Sequence, residues 1–296
     1  MIAGVLASAG IVEAGTLYTV RETGDILVAI DTNTLEFTDV GPLNEVFQFG
    51  GLEWDSSTDT LYAVDGRGTR SLHKIDPNTG QSGTVGAHGV TDLFGLGYDS
   101  QNDVLFACAF VPNQPLYTVN RSTGAVTPRG TIVPRLGNLA YNSRDDELLG
   151  VSDGAGDLYR IDRNTGEATL VFNGEFTDNS GLAYDPEQHV LWQIDWQGRL
   201  FKYDIANGYA RTTVKTGLGS HDGLAFAGGG ARCNYLIKKS KAKGGCETCP
   251  PKGAEFRSDA ACEDVKECEK KLKGTIACPR GGNGTCKIKG KRRSCG

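Results

Sequence analysis

The sequence predicts an all-β protein: a five-bladed β-propeller with four-stranded blades, closed by its N- and C-terminal strands and followed by a small disulfide-rich module. A short phrase, glycine or asparagine, then leucine, then a small and an aromatic residue, recurs every 42 to 44 residues. A period of that size built from short strands is typical of propellers. A second phrase with turn chemistry recurs at the same period, and charge and cysteine content change sharply near residue 230. The leucines of the first phrase are Leu52, Leu96, Leu139, Leu182 and Leu224.

One repeat, residues 179–221, shows how a blade is built. Its first strand alternates large and small side chains over Gly181 to Asp185, as a strand of period two requires. Further strands are expected at 190–195, 200–204 and 209–215. Four antiparallel strands of this kind make one blade.

The second phrase is the turn between the third and fourth strands. An Asp or Asn at its start can accept hydrogen bonds from backbone N–H groups two residues on, and a closing Gly tolerates positive φ. In the first copy Leu35 takes the glycine position. We interpret the leading residues as turn residues rather than as functional ones. They are Asp31, Asp76, Asn120, Asp162 and Asp204.

The two ends of the repeat region predict how the ring closes. The first copy begins at its second strand, residues 16–20, and the phrase it lacks follows the last full copy at 223–226. We therefore expect strand 222–227 to pair with strand 16–20 and complete one blade. Such closure leaves no long free sheet edge.

At these two phrases the chain resembles the broad superfamily of secreted, mostly bacterial propellers with NHL- or YVTN-like blades. The resemblance covers about residues 16–227, and five blades bring the chain closer to five-bladed lectin-like propellers than to those with six or seven. Such blades host lectins, scaffolds, lactonases and lyases, so the resemblance implies a fold and not one function. It also implies that ligands meet the loops leading into the innermost strands, around the central channel. The C-terminal module resembles no family.

Charge and composition divide the chain into three parts: 1–14, 15–230 and 231–296. Residues 1–230 carry 14 Lys and Arg against 29 Asp and Glu, a net charge of −15, whereas residues 231–296 carry 17 against 7, a net charge of +10. Residues 2–12 are apolar and resemble the hydrophobic region of a signal peptide, which predicts export to the extracellular space. The alternative is a strand, because the basic residues that precede such a region are missing. No stretch of the sequence approaches the length of a transmembrane helix.

The cysteines support the same boundary. Eight of nine lie in the last part, a density that predicts a disulfide framework and an oxidising compartment. Their connectivity stays open. A competing interpretation is a zinc site at Cys246-x-x-Cys249, which would need thiolates alone because residues 231–296 contain no histidine. The eight are Cys233, Cys246, Cys249, Cys262, Cys268, Cys278, Cys286 and Cys295.

Ligand-binding candidates come from the loops before the innermost strands and from the ends of the second strands, where the repeats differ. Trp196 follows a second strand in a hairpin, and its ring is suited to stacking on a ligand. The two other tryptophans fit inter-blade packing. The candidates are Asp65, Arg135, Asn179, Asp195, Trp196 and His221.

Three acids in the same loops, Asp92, Asp178 and Asp222, are candidate ligands for a hard cation such as Ca²⁺, which prefers several oxygen ligands. The resemblance to lactonase-type propellers, which hold a metal in the channel, implies the same. The alternative is salt bridging, for instance between Arg135 and Asp178. No other cofactor is predicted.

Two further positions invite a functional interpretation. His221 stands next to Asp222, and an aspartate can orient an imidazole for acid–base chemistry, but no nucleophile signature accompanies the pair. Glu53 occupies a column that carries Gly or Ala in the other repeats. It either contributes to the site or pairs with Arg21 or Arg135.

Basic runs at 238–243 and 287–293 predict a surface for polyanions. An exported protein meets acidic or sulfated polysaccharide and cell surfaces more often than nucleic acid. The leading hypothesis is a secreted, non-enzymatic binding or adhesion protein whose propeller recognises a glycan or protein and whose basic module anchors it. The alternatives are a subunit that self-associates through acidic-propeller and basic-tail contacts, and a lactonase-like hydrolase or polysaccharide lyase.

Overall fold

The computed structural model describes residues 15–228, 233–243, 249–257, 271–277 and 285–295. The predicted signal segment, 1–14, lies outside the described residues. Among the helices of the described part, none is long and apolar enough to cross a membrane.

Residues 15–228 form five four-stranded antiparallel sheets, which are the five predicted blades. In the second to fifth blades the four strands follow one another in chain order, from the innermost to the outermost strand. The innermost strand of the first blade comes from the C-terminal end of the propeller. The first blade contains β1 (Thr16–Arg21), β2 (Ile26–Asp31) and β3 (Phe37–Pro42). The second contains β4 (Gly50–Asp55), β5 (Thr60–Asp65), β6 (Ser71–Ile75) and β7 (Ser82–Ala87). The third contains β8 (Leu93–Asp99), β9 (Val104–Ala109), β10 (Gln114–Val119) and β11 (Val126–Ile132). The fourth contains β12 (Leu136–Asn142), β13 (Glu147–Ser152), β14 (Leu158–Ile161) and β15 (Ala168–Phe172). The fifth contains β16 (Asn179–Asp185), β17 (Val190–Asp195), β18 (Leu200–Asp204) and β19 (Ala210–Lys215), and β20 (His221–Ala227) follows it.

The ring closes as the sequence predicted. Strand β20 pairs antiparallel with β1, with Leu17 opposite Phe226, and becomes the innermost strand of the first blade. Each innermost strand contacts the next one around the ring, from β4 through β8, β12 and β16 to β20 and back to β4. N-terminal and C-terminal strands are thereby locked into a single sheet.

The recurring phrase is explained by how closely the innermost strands approach. All five phrase leucines are completely buried and pack between neighbouring blades. A Cβ atom on Gly51 would overlap with the carbonyl oxygen of Phe94 on the adjacent innermost strand. Glycine at this position therefore lets two backbones come together while the following leucine fills the space between blades.

The second phrase forms the predicted turns. The Asp31 carboxylate accepts hydrogen bonds from the N–H groups of Asn33 and Thr34 at 2.9 and 2.7 Å. Leu35 takes the left-handed conformation with φ of 56°, and Gly80 does so in the next copy with φ of 78°. Asp76, Asn120, Asp162 and Asp204 cap their turns in the same way.

The described C-terminal segments form a sixth sheet, in the order β22 (Glu255–Arg257), β21 (Cys233–Lys243), β24 (Thr285–Cys295) and β23 (Lys271–Ala277). Alternate residues of β24 are buried, and Ile237, Cys286 and Ile288 make a small core beneath it. We call this unit the C-terminal sheet.

A disulfide joins Cys249 to Cys286 and ties the C-terminal sheet to the segment that follows Cys249. It confirms the predicted disulfide chemistry for this pair. The zinc interpretation is wrong for Cys249, because a sulfur in a disulfide is not a thiolate ligand. Cys233 and Cys295 lie opposite each other in the backbone register of β21 and β24. Cys246, Cys262, Cys268 and Cys278 lie outside the described residues.

Candidate functional site

A cavity of about 690 Å³ opens where the innermost strands begin and the second strands end. We call it the mouth cavity. Its walls come from all five blades, because every blade presents a loop into its innermost strand and the end of its second strand at this side. Five lining residues are carboxylic acids: Glu22, Asp25, Asp153, Asp178 and Asp222. Five are aromatic: Phe47, Phe49, Phe94, Phe110 and Trp196.

Three phenylalanines of the second and third blades form an aromatic wall. The Phe49 ring centre lies 4.5 Å from that of Phe94 and 5.1 Å from that of Phe110. The Arg67 guanidinium carbon lies 3.8 Å from the centre of the Phe49 ring, and its Nε donates to Asp92 at 2.6 Å. The wall is therefore held in place by stacking between its rings and by the Arg67 guanidinium, which is fixed by its ion pair with Asp92.

The neighbouring innermost strand β20 supplies a buried carboxyl, Asp222, beside the backbone N–H groups of Phe49 and Gly50. It is only 2% exposed, and its Oδ2 has no hydrogen-bond partner. Burial, and after it the neighbouring charge of Glu22, raises the pKa of Asp222 well above its usual range. Two adjacent carboxylates cannot both ionise without cost. Glu22 also stabilises the protonated form of Asp222 by hydrogen bonding. Glu22 and Asp222 are called the carboxyl pair below.

Trp196 joins the carboxyl pair to the rim of the mouth cavity. Its Nε1 donates to Glu22 Oε1 at 2.8 Å, and its backbone N–H donates to the Asp178 carbonyl at 2.7 Å. The ring is fixed at both ends and yet 50% exposed. This geometry suits a platform for a bound group, the role that the sequence suggested for Trp196.

Two predicted ligand residues, Asp65 and Asp195, are engaged by their own turns. Asp65 is 1% exposed and accepts hydrogen bonds from the N–H groups of Gly68 at 2.7 Å and Thr69 at 2.6 Å. Asp195 is fully buried and accepts from the N–H and the Nε of Arg199 at 2.8 and 2.6 Å. Neither lines the mouth cavity, because both side chains turn back to cap the loop that follows them.

Arg135 pairs with Asp153, and the expected bridge from Arg135 to Asp178 is replaced by this pair. The Arg135 guanidinium also lies 4.9 Å from the centre of the Phe110 ring, behind the mouth cavity. Asp178 instead accepts from Gln197 Nε2 at 2.6 Å. For Asn179 the structure describes the backbone, which pairs with Asp195 in the β16–β17 register.

His221 is buried, at 2% exposure, and does not line the mouth cavity. Its Nδ1 donates to the Gly219 carbonyl at 3.1 Å, and burial lowers the pKa of His221. Adjacent strand residues point to opposite faces, so His221 faces away from the cavity that Asp222 lines. The two side chains are not placed as an acid–base pair.

Among the described residues, no group of three or more Asp, Glu, His or Cys side chains is arranged to hold a metal ion. Asp178 and Asp222 both line the mouth cavity, whereas Asp92 turns to Arg67. The three predicted calcium ligands are therefore not gathered into one coordination site, and calcium binding stays a prediction.

Sequence reasoning missed Glu22, Phe94 and Phe110. Glu22 and Phe110 directly follow the second-strand ends Arg21 and Ala109, so a search one residue further along would have found them. Phe94 lies within β8, where the repeat pattern indicates only core packing. Phe94 belongs to the aromatic wall because its ring contacts that of Phe49.

A second candidate surface lies on the C-terminal sheet. We call it the lysine face: Lys239, Lys241, Lys243, Lys287, Lys289 and Lys291, all exposed. Lys239 lies opposite Lys289, and Lys241 opposite Lys287, in the register of β21 and β24. Like charges opposed in this way are destabilising, and contact with Lys243 lowers the pKa of Lys287. A cavity of about 1020 Å³ opens beside these lysines.

Comparison with known proteins identifies a fold. No protein-family model and no curated protein matches the chain. A chain in a crystal structure of a nidogen/laminin complex is 12% identical, with a TM-score of 0.50, over 71% of this chain and 80% of that chain. A structural genomics protein of unknown function from Bacteroides thetaiotaomicron VPI-5482 is 16% identical, with a TM-score of 0.52, over 76% and 64%. TolB from Acinetobacter baumannii is 15% identical, with a TM-score of 0.47, over 72% and 66%.

The present chain spans less than two thirds of the Bacteroides protein. At these identities the likeness shows a shared fold and nothing finer. The molecule is a five-bladed β-propeller followed by a small, disulfide-linked C-terminal sheet.

Proposed function

We propose that this protein is a secreted binding protein that holds a glycan or protein partner in the mouth cavity. The observation that carries this proposal is the cavity itself, to which five blades contribute an aromatic wall, a half-exposed tryptophan and a group of acids. Concave sites with an apolar wall and a few oriented polar groups are typical of ligand-binding sites. A propeller-like chain in a nidogen/laminin complex is compatible with a binding role.

The lysine face supports the second half of the proposal, attachment to an anionic surface. Six lysines on one face of a small sheet repel each other, and a polyanion relieves that repulsion. The Cys249–Cys286 disulfide is consistent with an oxidising, extracellular setting. Anchoring through the C-terminal sheet would leave the mouth cavity available to a partner.

A binding role is preferred to the hydrolase or lyase alternative because the catalytic candidate is poorly placed. His221 is buried, bonded to its own loop and turned away from the mouth cavity. The structural-subunit alternative rests on the opposed charges of the propeller and the C-terminal part.

A neutral-glycan array tests the proposal, since neutral sugars avoid the lysine face. Labelled full-length protein is compared with Trp196→Ala and with Phe176→Ala, an exposed aromatic residue outside the cavity lining. We expect binding by the wild type and by Phe176→Ala, and a loss of about tenfold or more for Trp196→Ala. Binding that survives Trp196→Ala contradicts the mouth cavity as the glycan site. An array without bound glycan contradicts the glycan form of the proposal.

A further inference from the structure

The carboxyl pair lines the mouth cavity, and one oxygen of its Asp222 side chain is buried without a hydrogen-bond partner. Asp222 is 2% exposed, lines the cavity and has an Oδ2 atom without a hydrogen-bond partner. Buried polar atoms are nearly always paired in folded proteins, and each exception needs an explanation. Glu22, its neighbour, is held in place by the indole N–H of Trp196.

The charges around the pair are negative, and the nearby cations are engaged elsewhere. Among the lining residues, five carboxylic acids face a single guanidinium, that of Arg67. Arg67 donates to Asp92, and Arg21, next to Glu22 in sequence, pairs with Asp39 at 2.7 Å. Within the described part of the chain, neither arginine compensates the carboxyl pair.

Arg135, on the fourth-blade side, is likewise committed to Asp153. The site therefore combines an excess of negative charge with a fixed and half-exposed indole ring. An ammonium or guanidinium group is stabilised by both features, since it donates hydrogen bonds to carboxylates and is attracted to an aromatic face. A calcium ion would need several more oxygen ligands than the pair provides.

We propose that Glu22, Asp222 and Trp196 form a subsite for the lysine or arginine side chain of a protein partner. This inference rests on the proposed binding function and names the chemistry of the partner. The basic group would donate to the carboxyl groups of Glu22 and Asp222, with Asp222 giving up its proton to solvent on binding, and would lie against the Trp196 ring. Desolvation in the cavity strengthens such charge-assisted hydrogen bonds.

The indole N–H of Trp196 is a direct reporter of this subsite. The chain has three tryptophans, so the indole region of an NMR spectrum is simple, and Trp196→Phe assigns the signal. The full-length protein is titrated with Nα-acetyl-lysine amide, with Nα-acetyl-arginine amide and with Nα-acetyl-glutamine amide as the neutral control. We expect a saturable shift of the Trp196 signal with one or both basic amides and none with the neutral one.

Three variants test the assignment. Glu22→Gln removes a charge at constant size, and Asp222→Asn removes the acidic group that the bound cation would ionise, so each should weaken binding of the basic amide about tenfold or more. Glu167→Gln, an exposed acid on the β14–β15 hairpin, removes the same charge outside the cavity and should bind like the wild type. If Asp222→Asn fails to fold, Glu22→Gln still decides the question.

Several outcomes overturn the inference. They are no shift with either basic amide, an equal shift with the glutamine amide, or equal affinity in Glu22→Gln and Glu167→Gln. A shift caused by calcium chloride that also blocks the basic amides would assign the pair to a metal instead.

Trp196-dependent glycan binding without any response to basic amides would overturn this inference and leave the proposed function intact. A response to basic amides with no glycan bound would support a protein partner and exclude the glycan form.

Discussion

Glu53 shows how a residue that stands out in the sequence can serve the ring rather than a ligand. Glu53 occupies a repeat position that carries Gly or Ala in the other four copies. Neither of its suggested partners pairs with it, because Arg21 pairs with Asp39 and Arg135 pairs with Asp153. The Glu53 carboxyl group accepts the N–H of Trp54 at 2.9 Å and the N–H of Tyr98, on the next blade, at 3.1 Å. Glu53 therefore links two innermost strands.

This link predicts a pH-dependent stability. Burial raises the pKa of Glu53 from a usual value of 4.5 to about 8. Because the folded pKa is the higher one, the stabilising contribution is complete below about pH 4.5 and is lost as the pH rises through about 8. Glu53→Gln removes the charge but retains one acceptor oxygen, so it loses one of the two backbone hydrogen bonds. We therefore expect the wild type to lose stability relative to Glu53→Gln, by about 2 kcal/mol, as the pH rises from about 5 to above 8.

Urea denaturation at several pH values measures this difference. The difference in the free energy of unfolding between Glu53→Gln and the wild type should be constant at low pH and should shift in favour of Glu53→Gln as the pH rises through about 8. Glu167→Gln, the exposed control, should follow the wild type throughout. A gap that is constant with pH would mean that Glu53 does not titrate in the folded protein.

At the residue scale, sequence patterns predicted turn residues, whereas the contacts between loops of different blades required the folded ring. The turn function of Asp31 follows from its own neighbours and was predicted correctly. Asp65 and Asp195 stay predicted ligand residues, and the structure shows that each also caps the turn that follows it. The pairing of Arg135 with Asp153 needed the folded loops, because Arg135 lies within reach of several acids.

At the scale of elements, the innermost strands set the dimensions of the ring. Gly51 on β4 lies so close to β8 that a methyl group has no space beside the Phe94 carbonyl. Gly83 on β7 also lies in a strand, but a Cβ there would meet no atom within 4 Å. Substituting alanine at Gly51 tests the close approach of two strands, and substituting alanine at Gly83 tests the effect of adding a methyl group to a strand without such an approach.

We expect Gly51→Ala to destabilise the protein by about 2–3 kcal/mol, because the adjacent backbone must shift to make room. Gly83→Ala should change the free energy of unfolding by no more than about 0.5 kcal/mol. Thermal unfolding followed by circular dichroism compares the two. Equal melting temperatures would show that the ring tolerates wider spacing than the structure indicates.

Pairs between blades explain a further part of the repeat that the sequence did not reveal. Arg121 of the third blade pairs with the buried Asp55 of the second, and Arg163 of the fourth pairs with Asp99 of the third. Each guanidinium also lies over an aromatic ring of the phrase, Tyr98 in the first case at 5.1 Å. The partners are 66 and 64 residues apart, so only the closed ring brings them together.

At the scale of the whole molecule, the propeller was predictable because each blade repeats local signals, whereas the mouth cavity was not. Its parts belong to loops that differ between blades, from Glu22 at one end of the chain to Asp222 near the other. Ring closure through β20 and β1 places these two residues side by side. The sequence could predict which loops of the blades meet around the channel and could not predict which side chains converge there.

The charge division of the molecule leads to the last prediction, which concerns the lysine face. Lys287→Gln, Lys289→Gln and Lys291→Gln combined remove three charges from one strand, β24. We expect this triple variant to bind dextran sulfate, a linear sulfated polysaccharide, about tenfold or more weakly than the wild type at low salt. Raising the salt to about 0.5 M should weaken the wild type strongly, because exposed charges are screened.

A matched control removes three exposed arginines from the propeller, with Arg70→Gln, Arg129→Gln and Arg144→Gln combined. It changes the net charge equally, so unaltered dextran sulfate binding by this control would locate the polyanion site on the C-terminal sheet. Equal weakening in both triple variants would instead reflect overall charge.

Light scattering in the same buffers separates attachment from self-assembly. If the wild type assembles at low salt and the lysine variant does not, the basic sheet joins one molecule to the acidic propeller of the next. If the wild type stays monomeric at both salts, the structural-subunit alternative is contradicted and the lysine face is left for an external polyanion.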